Sequence, residues 1–258
     1  MTTTFKLTLF LLWDLLKNRM VAGYAVLLFL LSYSLFSLSA DTAKSVISLL
    51  NVILIFVPLV ALMFSTIHFF NSVEFIELLL SQPLGRGKVL MAFYLAIALS
   101  LVLAFSLGVG VPLLLYGPGS NALLLWFFGL LLNLVFSALG LWAFVVAKDK
   151  AKGIGIAILL WIYFSLLYDG LVLLGLYTFA DYPVENYVTL VVLLNPVDLA
   201  RIGFLIQLDV AALMGYTGAV FKNFFQGTTG IALSALSLLL WVVVPLALST
   251  VIFKRKDL

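Results

Sequence analysis

His68 is the sole histidine of the chain, and with Glu74 six positions on it is the nearest thing in the sequence to a metal or proton site. One imidazole cannot supply a zinc centre, so His68 reads either as a lone ligand or as a ring half buried at a membrane edge. Cysteine is absent, which removes disulfides, thiolate ligands and cysteine nucleophiles. The five methionines, Met1, Met20, Met63, Met91 and Met214, do not recur at i,i+3 or i,i+4 and build no thioether ladder for copper. The glycines at 108 and 110, and at 153 and 155, lack the Lys and Ser or Thr that complete a phosphate cradle. They fall in apolar runs, where small residues let helices approach. The chain itself is therefore expected to be non-catalytic, with no metal or cofactor of its own. Asp169 is the one carboxylate deep inside an apolar run, YFSLLYDGLVLLG. Inserting it costs about 2.5–3.5 kcal/mol, so it is either paired or functional, or it marks a helix break at Asp169–Gly170 with Tyr168 at the headgroups.

These residues sit in a chain that only a membrane can accommodate. Of 258 residues, 65% are hydrophobic and 10% charged, a balance that would leave a soluble domain with large exposed apolar patches. The expected class is an all-α integral membrane protein, residues 1–258 forming a single transmembrane domain. The net charge of +3 reflects loop charges that set orientation rather than nucleic-acid binding. With roughly 20 apolar residues needed per span, six segments emerge, at about 20–39, 46–67, 89–116, 122–147, 153–179 and 229–253. Before them, MTTTFKLTLFLLWDLLKNRM mixes charges into an apolar stretch, the pattern of an amphipathic helix lying in the interface rather than a cleaved signal. Asn51, Asn133 and Ser137 read as hydrogen-bond donors between spans.

With the amino terminus cytoplasmic, 11 of the 14 basic residues fall on the inner side, and Lys44, Arg201 and Lys222 remain outside. This positive-inside bias places both termini and the connector 68–88 in the cytoplasm, and the long segment 180–228 on the other face. The first connector contains SVEFIELLLSQPLGRG, amphipathic and stopped by Pro83 and Gly85. At helical spacing Phe75, Leu78 and Leu79 gather on one side, with Glu74 and Glu77 on an adjoining face. Such a helix serves as an interfacial anchor or as a docking element. In the second, LLNPVDLARIGFLIQLD opens a helix: Asn195 can cap it, Pro196 suits its first turn and Asp198 favours its positive end. Segment 180–228 reads as two or more short helices in the outer leaflet, either a lid over the spans or a docking surface presenting Asp198, Arg201, Gln207 and Asp209 outward.

EFIELLLSQPLGRGKVL resembles the segment after the second span of bacterial ABC-2 type permeases: an acidic residue, a Leu-Leu run, Ser-Gln-Pro, then a basic residue. HFFNS stands where that family usually carries a charged run. The resemblance implies a coupling helix seated in a groove of a separate ABC ATPase subunit, which binds ATP-Mg, and it assigns that contact to Glu74, Phe75, Glu77, Leu78, Leu79, Gln82, Pro83 and Arg86. It also implies a homodimer in the bacterial inner (cytoplasmic) membrane. The Asn-Pro-x-Asp motif, followed by Arg and a run toward Gly-Tyr-Thr-Gly, is similar to permeases of the nitrous oxide reductase maturation systems that assemble its copper site. That implies a periplasmic β-helical partner docked on Asn195, Pro196, Asp198, Arg201, Gln207 and Asp209. The alternatives are an ABC-2 exporter of a lipid-linked glycan, drug or other amphiphile, and an ATP-independent secondary carrier with Asp169 as its coupling residue.

Overall fold

The computed structural model describes residues 3–38, 41–116, 119–178, 191–208 and 227–255, and among them every regular element is helical. Hydrocarbon offers no partner for backbone N–H and C=O groups, so an apolar chain satisfies them within helices. Helix α1 (Thr3–Leu16) precedes α2 (Arg19–Leu38), α3 (Thr42–Asn71) and the short α4 (Val73–Leu80). Then α5 (Arg86–Phe105) runs through a π turn at Ser106–Gly110 into α6 (Val111–Leu115). After α7 (Ser120–Val146), α8 (Lys150–Ile162) continues through a second π turn, Tyr163–Leu167, into α9 (Tyr168–Thr178). Last come α10 (Pro196–Leu205) and α11 (Gly227–Arg255).

Among the described residues, six stretches are long and apolar enough to cross a membrane: Arg19–Leu38, Thr42–Asn71, Arg86–Leu115, Asn121–Val146, Lys150–Gly175 and Thr229–Arg255. They coincide with the six expected segments to within a few residues. Capping explains several starts: Asn18 accepts the Met20 N–H at 2.8 Å, Asp41 that of Ala43 at 2.9 Å, and Asp149 that of Lys152 at 2.8 Å. Helix α1 turns Leu11 and Leu15 inward while Phe5, Leu9, Phe10 and Trp13 stay exposed, as a helix lying in the interface requires.

Spans three and four form the centre, each 67% buried over its most apolar window, against 22% and 17% for spans five and six. Close approach welds this centre to the first two spans. Gly140 on α7 lets α3 come so near that an added Cβ would lie 2.7 Å from the Ser65 Cβ and 2.9 Å from the Leu62 carbonyl oxygen. Across the same contact Thr66 Oγ1 donates to the Gly140 carbonyl at 3.1 Å. Gly108, inside the first π turn, approaches α2 equally closely, and Ser32 Oγ donates to its carbonyl at 2.8 Å. A π turn disturbs the regular backbone ladder, and here a side chain from the next span reaches in. Of the polar residues expected to bridge spans, Asn133 does so, accepting the Tyr24 hydroxyl at 3.1 Å. Ser137 does so too, its hydroxyl bonding that of Tyr94 on α5 as well as the Leu134 carbonyl of its own helix, whereas Asn51 faces outward.

Candidate functional site

At the end of the bundle that carries α1 and the last turn of α11, helix α4 follows α3 across a single residue. The Ser72 N–H donates to the carbonyls of His68 (3.0 Å) and Phe69 (3.2 Å), and its own carbonyl accepts the Ile76 N–H at 2.9 Å. The corner is thus hydrogen-bonded on both sides. Ile76 and Leu79 are buried, with Val73 and Leu80 packed beside them, and the Phe75 ring meets Phe93 of α5 edge-on at 6.1 Å. Glu74, Glu77 and Leu78 are exposed, Leu78 at 62%. Of the three residues grouped on one side from the sequence, Leu79 turns into the protein while Phe75 and Leu78 stay exposed. The buried stripe is centred on Ile76 and Leu79, and Leu78, four residues after Glu74, lies on the free face with the carboxylates.

The chain leaves α4 through exposed Ser81, Gln82 and Pro83, and Gly85 caps α5. Arg86 Nη1 donates to the Lys254 carbonyl at 3.4 Å, a cation placed where the dipole of α11 ends negative. Beside this, Lys150 Nζ reaches Asn71 Oδ1 at 2.7 Å, which fastens the start of α8 to the end of α3. Asp149 is held below the usual carboxylate range, chiefly by the Lys152 backbone N–H and then by the Lys152 ammonium 3.2 Å away. His68 is half buried, stacked on Phe64 at 5.8 Å with Ser72 Oγ 3.4 Å from Nε2. Among the described residues no three His, Asp or Glu side chains cluster as a metal site.

The opposite end is organised by Asn195. Its Oδ1 accepts the Val197 N–H at 2.9 Å, the cap anticipated from the sequence. Its Nδ2 donates to the Phe164 carbonyl at 3.0 Å, within the second π turn, and to Asp198 Oδ2 at 2.9 Å. Arg201 Nη1 is shared between Asp169 Oδ2 (2.5 Å) and Asp198 Oδ1 (3.2 Å). The Tyr168 hydroxyl donates to the Val191 carbonyl at 2.5 Å, and Trp241 Nε1 of α11 to the Leu193 carbonyl at 3.0 Å. Two carboxylates thus face one guanidinium. Burial, then the neighbouring Asp169, pushes the Asp198 carboxyl up to about 7 against the opposing pull of Arg201 and Asn195.

This overturns the expectation that Asp198 faces outward. Eight of the ten residues of α10 are buried, among them Pro196 and Asp198, and Asn195 just before it is fully buried. The helix is a plug against α7 and α11, approaching them so closely that a Cβ on Gly203 would lie 2.8 Å from Phe128 Cζ and 2.9 Å from Ser234 Oγ. Arg201 and Gln207 are half buried. Asp209, Lys222 and the Gly215–Gly218 run lie outside the described residues. Of the two readings of Asp169, a paired carboxylate and a helix break at Asp169–Gly170, the structure has the pair, with Arg201; α9 passes through both residues and the irregularity is the π turn one step earlier. Sequence reasoning missed Phe164, Val191 and Leu193 because they act through backbone carbonyls, which no side-chain pattern reveals. It also missed Trp241, whose indole N–H needs a partner when buried.

Residues 12–258 match the family model described as ABC-2 family transporter protein. The chain is 31% identical over 268 residues to a Pseudomonas aeruginosa protein named "Probable ABC transporter permease protein NosY", covering 95% of each chain. It is 29% identical over 269 residues to a protein of the same name from Stutzerimonas stutzeri, covering 94% of this chain and 95% of the relative.

Proposed function

We propose, for a chain that belongs to the ABC-2 family of transporter proteins, that it is the permease subunit of an ABC complex, driven by ATP hydrolysis in a separate subunit and itself non-catalytic. The observation that carries the reading is α4: a short helix anchored by Ile76 and Leu79, with Glu74, Glu77 and Leu78 left free and no loop between it and α3. A face of two carboxylates and a large exposed leucine suits a groove lined by basic and apolar groups, and the ATPase is the partner that occupies it. Phe75, Gln82 and Pro83 border that face, while Leu79 and Arg86 hold it in place. The six apolar helices and the family make this a multi-pass protein of the bacterial inner membrane, which we read with both termini cytoplasmic and with a second copy completing the transporter.

The specific system we propose is nitrous oxide reductase maturation. Its supports are the two relatives carrying the NosY permease name over almost their full length and the resemblance of the Asn195–Asp198 motif to those permeases. A periplasmic β-helical protein would dock at the face that carries the half-buried Arg201 and Gln207, with the buried Asn195, Pro196 and Asp198 holding α10 in place rather than touching the partner. An ATP-independent carrier would need Asp169 for ion coupling, and the ion pair with Arg201 already gives that carboxylate its partner.

Co-purification tests the reading. The permease carrying Glu77→Arg, co-expressed with its ABC ATPase subunit, is expected to lose the ATPase in moderate salt while remaining monodisperse. Retention of the ATPase at wild-type stoichiometry would remove α4 as its docking site.

A further inference from the structure

Between spans one, two and three, near the end that carries α1, lies an open groove of about 260 Å³ walled almost wholly by apolar atoms. Met20, Gly23 and Leu27 line it from span one, and Leu59 and Met63 from span two. Its volume falls just below the roughly 300–1,000 Å³ of pockets that enclose compact small molecules, which suits a single hydrocarbon chain better. Gly23 leaves it open: a Cβ there would meet nothing within 4 Å. The groove begins where span one enters the membrane, because the exposed aromatic face of α1 sets that end at headgroup level, and it runs about 10 Å deeper to Leu27.

A cation stands next to its mouth, with a second just before it in the chain. Arg19 lies four residues before Gly23, hence on the same helix face one turn nearer the interface, with its side chain leaning back toward the helix start. Arg19 and Lys17 are both exposed, Lys17 lying 5.8 Å over the Trp13 ring. From Lys6 to Gly23 the chain carries Lys6, Lys17 and Arg19 against Asp14 alone.

We propose that this groove is a binding site for an anionic phospholipid, one acyl chain lying along Gly23 and its phosphate resting on Arg19 and Lys17. The apolar wall takes any lipid chain of suitable length, and the basic mouth selects the headgroup. A neutral lipid therefore binds in the same place but more weakly.

The test counts bound lipid on the purified full chain by native mass spectrometry, titrating phosphatidylglycerol or phosphatidylcholine with identical acyl chains. Wild type is expected to bind phosphatidylglycerol about thirtyfold more tightly, the scale of two basic residues near a membrane surface. Arg19→Gln should reduce most of that preference while keeping phosphatidylcholine. Gly23→Leu should lose both lipids without loss of thermal stability, since the added side chain enters open space and leucine favours helix. Leu59→Trp, filling the groove from the opposite wall, is the second blocking variant should Gly23→Leu not fold. Equal affinity of wild type for the two lipids overturns the headgroup assignment. Undiminished lipid binding in a folded blocking variant overturns the site, and if that variant also turns a dimer into monomers, a second copy of the chain is the occupant instead.

Discussion

Replacing Asn195 with alanine removes three hydrogen bonds made by one fully buried side chain: to the Val197 N–H, the Phe164 carbonyl and Asp198 Oδ2. Loss of the cap costs typically about 1 kcal/mol. The bond to an ionised Asp198 contributes roughly 1.5–3 kcal/mol, and an unpartnered buried carbonyl costs about 1–3 kcal/mol. These groups share one network, so the losses overlap, and the expected total is on the order of 3–4 kcal/mol. Asn195→Ser keeps an oxygen for the cap and should recover about 1 kcal/mol of it. The pH dependence follows from Asp198, whose carboxyl titrates near 7 in the folded protein and near about 4 unfolded. Its contribution is full below the unfolded value and is lost as pH rises through about 7. Asn195 favours the ionised form, so the alanine variant carries a still higher folded value. At pH 6 both proteins hold the proton and differ mainly by the cap and the Phe164 carbonyl; at pH 8 the wild type has an ionised, supported Asp198 that the variant lacks. The deficit should therefore grow between pH 6 and pH 8. Reversible unfolding in mixed micelles, followed by tryptophan fluorescence, measures it. A loss below about 1 kcal/mol at pH 8, or one that shrinks as pH rises, refutes the reasoning.

Cysteines introduced singly at Ser120 and Ala151 are expected to separate the two faces in intact cells: an impermeant thiol reagent should modify the first and spare the second, and labelling at Ala151 alone would invert the orientation. Gly140→Val should cost about 1–3 kcal/mol of stability by forcing α3 from α7, because the new side chain meets Ser65 and the Leu62 carbonyl. Gly155→Ala in α8 meets nothing within 4 Å and should instead raise the unfolding midpoint, the gain being up to about 1 kcal/mol. Equal effects at the two glycines would contradict the packing.

The six spans were legible because a run of roughly 20 apolar residues has few alternatives in a membrane, and the Asn195 cap because the side chain that makes it is local. The inward turn of Ile76 was not legible: in a helix where six of the eight residues are apolar, VEFIELLL, the pattern alone does not say which apolar side meets α5. The burial of Asp198 was misread for a related reason. A polar residue in a helix outside the spans suggests water, whereas its actual partners are Asn195 on one side and Arg201 on the other. The Asp169–Arg201 pair joins residues 32 positions apart, and only the fold brings them together. Hydrogen bonds from Ser32 and Thr66 to glycine carbonyls leave no mark in a sequence, since the acceptor belongs to the backbone.

The one-residue corner at Ser72 has a mechanical consequence. Slack in a connecting loop would absorb a small displacement of α4, but here the backbone bonds of α3 pass directly into those of α4. Helix α3 has 30 residues and so extends about 45 Å, the full thickness of a bilayer with its headgroups. A push on the free face of α4 thus acts as a torque at one end of a lever, and the contact at Gly140 makes α7 turn with it. Pro58 lies within that lever, and its missing N–H removes one bond from the ladder there. Stiffness above and below this point decides how much of a stroke delivered on one side of the membrane reaches the other.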